Sequence, residues 1–484
     1  MSTDGTDVAP GTIQPIAHLD VEERIAIGKA ARAAVPRSSH ATWAPGADRP
    51  DPVTLLRSQE VSRVPALIDL RHERMLASPF AFYRGAAIVM ASDLAMTPSS
   101  DLRVQCCGDA HLANFGGFAS PDRRLVFDIN DFDETNPGPF EWDVKRLTAS
   151  FEIAARSREL GAKTAREITL RGTRSYREAM SQFAAMSNLE TWYARLDVDA
   201  IVSRWQGELS EKELKRLSDL TTKAESKDST RALSKLATKV DGEYRIKHDP
   251  PLVVPIEDLA TEEGIDVAPE QVRAWLSDRF RVYRQSLQPD RRHLLEDYRL
   301  VDFARKVVGV GSVGTRCWIA LMMGRDDADP LFLQIKEAQP SVLEPFTGAS
   351  EYSHHGQRVV EGQRLLQTSS DILLGWVRTN GIDGVQRDFY ARQLWDWKVS
   401  ADLEGMSPTF MKIYAEMCGW TLARGHARSG DRVALAAYLG SGDVFDRAIA
   451  DFASAYADQN QRDYDHAVAV ISGAAQLAPL PQPA

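Results

Sequence analysis

Gly108-Asp109-Ala110-His111-Leu112-Ala113-Asn114, followed by Leu125-Val126-Phe127-Asp128-Ile129-Asn130-Asp131-Phe132-Asp133, is the stretch on which the reading of this chain turns. It sets Asp109, Asn114, Asp128, Asp131 and Asp133 within 25 residues. The apolar residues between them read as short strands. Val104 to Cys107 leads in, and Leu125 to Ile129 follows a turn at Ser120-Pro121-Asp122. Two strands joined by a polar loop aim several oxygens at one point. An all-oxygen donor set suits Mg²⁺ better than Zn²⁺. Asp and Asn also populate loops merely because they cap and turn the backbone. Here, however, three aspartates alternate with apolar residues from Phe127 to Glu134, where burial without a partner is costly. A bound cation removes that cost.

The chain has 484 residues, room for two or three domains or one large two-lobed unit. Its 43% hydrophobic and 26% charged content is that of an ordinary globular protein. A net charge of −10 argues against a general nucleic-acid binder. The four cysteines, Cys106, Cys107, Cys317 and Cys418, have no metal-ligand spacing and read as buried reduced thiols. Met1 to Gln14 has no apolar signal core, and no apolar run reaches the length of a membrane span. The expectation is a cytoplasmic protein with neither nucleic-acid nor membrane partners.

Taken in order, residues 1–17 are expected to be disordered. Asp20 caps a helix reaching Ala34, with Glu22 and Glu23 in its first turn. Residues 36–52 form a proline-rich extended arm, and helical patterns follow at 53–61, 66–77 and 86–95. Arg84, in Phe80-Ala81-Phe82-Tyr83-Arg84-Gly85, is placed to pair with an anion or with an aspartate of the site, and a surface ion pair is an equal alternative. Helices are expected at 142–158, 163–200 and 268–300, with a charged, solvated helical region at 207–240. Residues 356–376 and 408–428 are also expected to be helical, and 388–397 a strand.

Residues 303–340 change character. Val307-Val308 leads into Gly309-Val310-Gly311-Ser312-Val313-Gly314-Thr315-Arg316, then an apolar run from Cys317 to Met323, a turn, and Leu331 to Ala338. A Gly-x-Gly-x-x-Gly pattern alone says little. A dinucleotide fold needs a helix after the glycines, and the seven residues here are too short for one. The pattern therefore reads as a β-hairpin lid whose backbone N–H groups cover phosphates. Lys336 closes an apolar strand, where an unpaired ammonium is costly. A phosphate and a carboxylate would satisfy it. Glu361, on the next helix, is the favoured carboxylate, with Glu351 and Glu344 as rivals. A lysine snorkelling to solvent from a strand end is the plainer alternative.

Two resemblances follow from these residues. Gly108-Asp109-x-His111-x-x-Asn114 resembles the catalytic loop of aminoglycoside phosphotransferases and choline kinases. Ile129-Asn130-Asp131-Phe132-Asp133-Glu134, with Trp142-Asp143-Val144 beyond, resembles their Ile-Asp-Phe-x-Asp segment and later Asp-Leu. Cys107 stands where those enzymes usually have His. The whole chain, over about residues 20–470, also resembles a bacterial family known as domain of unknown function 2252. Phe-Tyr-Arg-Gly, Cys-Gly-Asp-Ala-His-Leu-Ala-Asn-Phe-Gly, Phe-Asp-Ile-Asn-Asp-Phe-Asp-Glu and Gly-Val-Gly-Ser-Val-Gly-Thr-Arg carry that match.

The kinase resemblance has its parts in inverted order, because the glycine loop and Lys336 follow the catalytic loop instead of preceding it. Reading from Val307 restores the order, and the helix ending at 428 would run into the loop at 108. The expected fold is therefore α+β: a two-lobed protein-kinase-like fold, circularly permuted, with a large helical lobe and a small antiparallel sheet lobe. Permutation is tolerated where the original ends lie close together. Residues 18–300 would form the helical lobe with the catalytic loop and metal-binding segment. Residues 301–405 would form the nucleotide-binding lobe, 406–475 helices returning to the large lobe, and 476–484 a tail. The idea requires Lys336 within about 15 Å of Asp131.

The resemblance implies an ATP- and Mg²⁺-dependent phosphotransferase acting on the hydroxyl of an acceptor of unknown identity. A small molecule is favoured and a protein acceptor stays open. Asp109 would orient or accept the hydroxyl proton. Asn114 and Asp131 would bind Mg²⁺, with Asp133 or Asp128 assisting. Lys336 would hold the α/β-phosphates, and Glu361 would hold Lys336. Gly309, Gly311, Ser312 and Gly314 would cover the phosphates. His111 would support the loop, and Asp143 would anchor it. The alternatives are a nucleotide-binding regulator without turnover, an AMP-transferring enzyme, and a metal-dependent phosphoesterase that would recruit His72 and His426.

Overall fold

Asp20 accepts a hydrogen bond from Glu23 N while Glu23 returns one to Asp20 N, and this capping box starts the Val21–Ala34 helix. The computed structural model describes residues 18–225, 229–262, 269–381, 383–394 and 396–477. The expectation for residues 1–17 lies outside them, as does that for the tail beyond 477. The arm that follows is not extended throughout. Arg37–Ala41 makes a 3₁₀ turn that carries His40 into the core.

His40 Nε2 lies 2.7 Å from the Tyr438 hydroxyl. Burial drops its pKa to about 3, and the Lys145 charge pushes the same way. Below about pH 6.5 the unfolded chain binds a proton that the folded chain refuses, so stability falls as pH falls. By pH 5 this group should remove about 2 kcal/mol. His40→Gln is expected to flatten that part of the slope in urea unfolding.

The fold is α+β with antiparallel sheets. Strands β1 (Arg103–Cys106) and β4 (Asn136–Pro139) pair with each other. Between them in sequence lie β2 (Phe115–Ala119) and β3 (Leu125–Ile129), which join β5 (Leu196–Asp197) in a second sheet. Helices Phe140–Ser157 and Ala162–Ala185 follow. The helix expected over 163–200 stops at Ala185, and the chain then turns at Ser187, which caps a short helix from Asn188.

The charged stretch is helical over Glu211–Glu225 and Ser229–Leu236, then forms a hairpin of β6 (Ala237–Val240) and β7 (Glu243–Ile246). It is only partly a solvated face. Ala232, Leu233 and Leu236 are buried against Ile319, Leu321 and Phe332.

Six strands make the main sheet: β8 (Val253–Pro255), β9 (Arg299–Lys306), β10 (Cys317–Met323), β11 (Pro330–Ala338), β12 (Gly375–Asn380) and β13 (Gln386–Gln393). Their spatial order is β12-β13-β11-β10-β9-β8. The apolar run of β10 is buried on both faces. One face packs on the Pro269–Gln285 helix, the other on Ser229–Leu236 and, farther along, on His355–Leu366. That last helix is shorter than expected. It ends at Leu366, and Gly375 opens β12.

β14 (Val399–Ser400) returns the chain to the second sheet by pairing with β2. Ser407 then caps the Pro408–Ser429 helix, with proline in its first turn. The helices Arg432–Leu439 and Val444–Leu477 close the chain. Among the described residues no helix is long and apolar enough to cross a membrane.

Candidate functional site

The loop after β1 is shaped by Gly108. Its φ is +83°, and a Cβ there would lie 2.1 Å from the Glu134 carbonyl oxygen. Only glycine lets the chain pass at this point. Asp143, on the Phe140–Ser157 helix, accepts from the Cys107 and Gly108 amides at 2.7 and 3.1 Å. His426 Nε2 is 3.2 Å from the same carboxylate, and the His426 Nδ1 faces the Tyr176 hydroxyl at 2.8 Å. The amide of Asn114 Nδ2 donates to the Asp109 carbonyl at 2.8 Å. Asp143→Ala would strand the buried Cys107 amide and the half-buried Gly108 amide, and is expected to cost about 2–4 kcal/mol in urea unfolding.

Asp109 carries a partner that the sequence did not announce. Arg146 donates to its Oδ1 from Nε and Nη2, at 2.9 and 2.8 Å. The guanidinium lies 3.9 Å above the Tyr83 ring and also donates to the Tyr83 carbonyl. The available signal was spacing. Arg146 is three residues after Asp143, so a helix puts both on one face. Oδ2 of Asp109 stands 3.7 Å from His111 Nε2. Burial pulls the His111 pKa down to about 4 in spite of Asp109, leaving the ring neutral.

The acidic segment separates into two functions. Asp131 and Asp133 turn toward β11. Lys336 Nζ lies 2.5 Å from Asp133 Oδ2 and 3.6 Å from Asp131 Oδ2, across some two hundred residues of chain. The Tyr390 hydroxyl donates to Asp133 Oδ1 at 2.6 Å. Tyr390 is the cross-strand neighbour of Lys336, a pairing that only the sheet register reveals. Burial acts to raise the Asp131 pKa, but Lys336 and Arg392 outweigh it and hold the group at about 2. Burial acts to lower the Lys336 pKa, and the two aspartates more than reverse it.

Asp128 points elsewhere. It is fully buried, its Oδ1 accepts from Arg424 at 2.6 Å and its Oδ2 from the Thr368 amide at 2.8 Å. It is a structural ion pair, and it does not line the cavity where Asp131 sits.

Glu361 is not the partner of Lys336. It pairs with Arg364, 3.1 Å away at the half-exposed surface of its own helix. Of the carboxylates, only Asp131 and Asp133 reach Lys336 among the described residues, so Glu344 and Glu351 do not serve either. The inward face of the helix carries Arg358 instead. It donates to the carbonyls of Thr135, Asp133 and Gln339 at 2.6, 2.8 and 2.7 Å. The helix therefore grips the acidic segment through its backbone, and Lys336 takes its carboxylate from that segment.

The glycine loop joins β9 to β10 as expected, with positive φ at Gly309 and Gly314. It is not a free lid. Arg63 Nη1 donates to the carbonyls of Gly311 and Val313, the Val64 amide to that of Gly314, and Arg74 to that of Gly309. The segment from Arg63 to Arg74 thus clamps four carbonyls. The amides of Gly311 and Ser312 donate to no acceptor among the described residues.

Asp109, His111, Asn114, Asp131 and Asp133 share one polar cavity of about 140 Å³ with Gly309, Gly311 and Ser312. Gly314 lies at the loop's far end against Arg63, and Lys336 sits behind Asp133. A larger cavity of about 330 Å³, beneath Phe127 and Phe410, is mainly apolar and holds none of these groups. Among the described residues no three His, Cys, Asp or Glu side chains converge on a metal-sized point. The donor set that does fit a cation is smaller. Asp133 is occupied by Lys336 and Tyr390, which leaves Asp131 and the Asn114 amide oxygen. One or two such ligands, completed by phosphate and water, is how Mg²⁺ is commonly held.

Residues 63–469 match the model of a bacterial family described as "Uncharacterized protein conserved in bacteria (DUF2252)", and the chain belongs to that family. The match spans both the Gly108–Asn114 loop and the glycine loop. No curated protein and no solved structure matches the chain.

Proposed function

We propose that this member of the family is an ATP- and Mg²⁺-dependent phosphotransferase of kinase-like, circularly permuted build, acting on a hydroxyl acceptor, most simply a small molecule. The observation that carries the reading is the contact of Lys336 with Asp131 and Asp133. Two motifs some two hundred residues apart meet within hydrogen-bonding reach, on either side of one polar cavity. Lys336 also stands on the strand after the glycine hairpin, where a kinase carries its phosphate lysine.

The end of the Pro408–Ser429 helix and the start of β1 support the permuted reading. The Gln105 amide donates to Ser429 Oγ at 3.2 Å, and a Cβ at Gly430 would lie 2.9 Å from the Arg103 carbonyl oxygen. A chain running from β9 to the end of the Pro408–Ser429 helix could thus continue into β1 without displacement.

Roles follow from position. Asp131 and Asn114 would hold Mg²⁺, which when bound neutralises charge on the phosphate oxygens. The free amides of Gly311 and Ser312 would bind those oxygens. Asp109 keeps Oδ2 for the acceptor hydroxyl, because Arg146 occupies Oδ1. Lys336 holds the aspartates in register. At about 140 Å³ the cavity is below the roughly 300–1,000 Å³ of pockets that enclose drug-sized ligands. It suits a phosphate chain and its metal, so the base must lie beyond it or the two sides must part.

Binding without turnover is the second reading, favoured by the Arg146 grip on Asp109. The phosphoesterase reading has less behind it, since His72 is bonded to Glu60 and His426 to Asp143, both away from the cavity. The test is ATP labelled at the γ- or the α-phosphate, offered with a broad panel of hydroxyl acceptors. Label from the γ-position supports phosphoryl transfer. Label from the α-position alone would replace it with AMP transfer. No label from either, with nucleotide still bound, would replace it with the second reading.

A further inference from the structure

One cation in the cavity is unused by the roles above. Arg84 closes the Pro79–Gly85 helix and lines the cavity beside Asp109, His111 and Gly311. Its Nε is sealed from solvent without an acceptor, and the guanidinium makes no hydrogen bond or ion pair with any described residue. The neighbouring cations are committed. Lys336 is held by Asp131 and Asp133, Arg146 by Asp109, and Arg63 Nη1 by the glycine-loop carbonyls. Arg84 is also firmly placed. The Tyr83 carbonyl before it is bonded by Arg146, and Gly85 after it packs directly on Met75. Its own carbonyl oxygen lies 3.2 Å from where a Cβ on Gly311 would be.

Asp109 attracts the Arg84 guanidinium from a distance, but Arg146 already holds that carboxylate and Arg84 makes no close pair with it. A half-buried guanidinium without a hydrogen-bonding partner is costly, and a neighbouring anion removes that cost. Two loop amides without acceptors border the same space. A planar guanidinium fork matches the oxygens of a phosphate. We propose that Arg84, with the Gly311 and Ser312 amides, forms a phosphate-binding site within this cavity. The phosphate is either the terminal group of the donor or one carried by the acceptor. The proposal deepens the phosphotransferase reading and rests on it for the identity of the anion. Binding of the anion itself needs neither metal nor turnover.

The experiment is calorimetric titration of pyrophosphate into the full chain without Mg²⁺ or nucleotide, for wild type, Arg84→Met and Arg84→Lys. Wild type is expected to bind, Arg84→Met to bind about tenfold or more weakly, and Arg84→Lys to fall between. If Arg84→Met does not fold, the Arg84→Lys weakening decides. ATP that displaces pyrophosphate assigns the site to the donor, and ATP that binds alongside it assigns the site to the acceptor. Binding to both variants at wild-type strength, or no binding to wild type, overturns the proposal. Mg²⁺–ATP binding in the same samples reports separately on the phosphotransferase reading. It can survive the loss of this proposal, and pyrophosphate binding through Arg84 can survive the loss of nucleotide binding.

Discussion

Mg²⁺–ATP is expected to raise the thermal stability of the wild type, and Asp131→Ala and Lys336→Ala are each expected to abolish that rise. A ligand that binds only the folded chain adds about 2.7 kcal/mol at a hundred times its dissociation constant. In wild type the rise should appear with Mg²⁺–ATP and vanish when a chelator removes the metal. The two variants lose it for different reasons. Asp131→Ala removes the one carboxylate left for the cation. The remaining Lys336–Asp133 pair at 2.5 Å keeps the site folded, so stability without ligand should change little. Lys336→Ala leaves Asp131 and Asp133 beside each other without their ammonium. Breaking a buried pair from one side typically costs about 3–5 kcal/mol, so this variant should unfold earlier even without ligand. A rise that persists in both variants would remove the main support for a shared nucleotide site.

The second large effect concerns Asp128. Its pair with Arg424 is essentially inaccessible, with side-chain exposures of 0% and 1%, and no water can replace a lost partner. Asp128→Ala and Arg424→Met should each cost about 3–5 kcal/mol in urea unfolding. The double variant should recover part of that loss, because neither charge is then left uncompensated. Asp128→Asn that still folds should keep the Mg²⁺–ATP rise. If instead it folds with wild-type stability and loses the rise, Asp128 is a metal ligand and the assignment to Asp131 fails.

Asp128 and Asp131 show where sequence reading reached its limit. Both belong to one run of acids among apolar residues, and both are costly to bury alone. The pattern required partners without naming them. Arg424 lies almost three hundred residues from Asp128, and Lys336 about two hundred from Asp131 and Asp133. For the helix after β11, the pattern located the helix, and Val359, Val360 and Leu366 are buried on it. It could not say that Arg358 would turn inward, because Glu361 and Arg358 differ by little in helical phase. The glycine loop was legible as a turn between strands. Its clamping by Arg63, Val64 and Arg74 was not, since those residues lie more than two hundred residues away in a stretch with no motif of its own.

The sequence by itself determined what depends on near neighbours. The Asp20–Glu23 capping box, the Ser407-Pro408 helix start, and the strand–glycine turn–strand of β9 and β10 are local choices of backbone conformation. Each is decided within a few residues by sterics and short hydrogen bonds. The tertiary structure alone decided which carboxylate answers Lys336, which aspartate is locked away with Arg424, and that Arg146 holds Asp109. Those choices are made by burial. A charge taken from water must find a counter-charge wherever the fold brings one, and distance along the chain carries no information about which one that is.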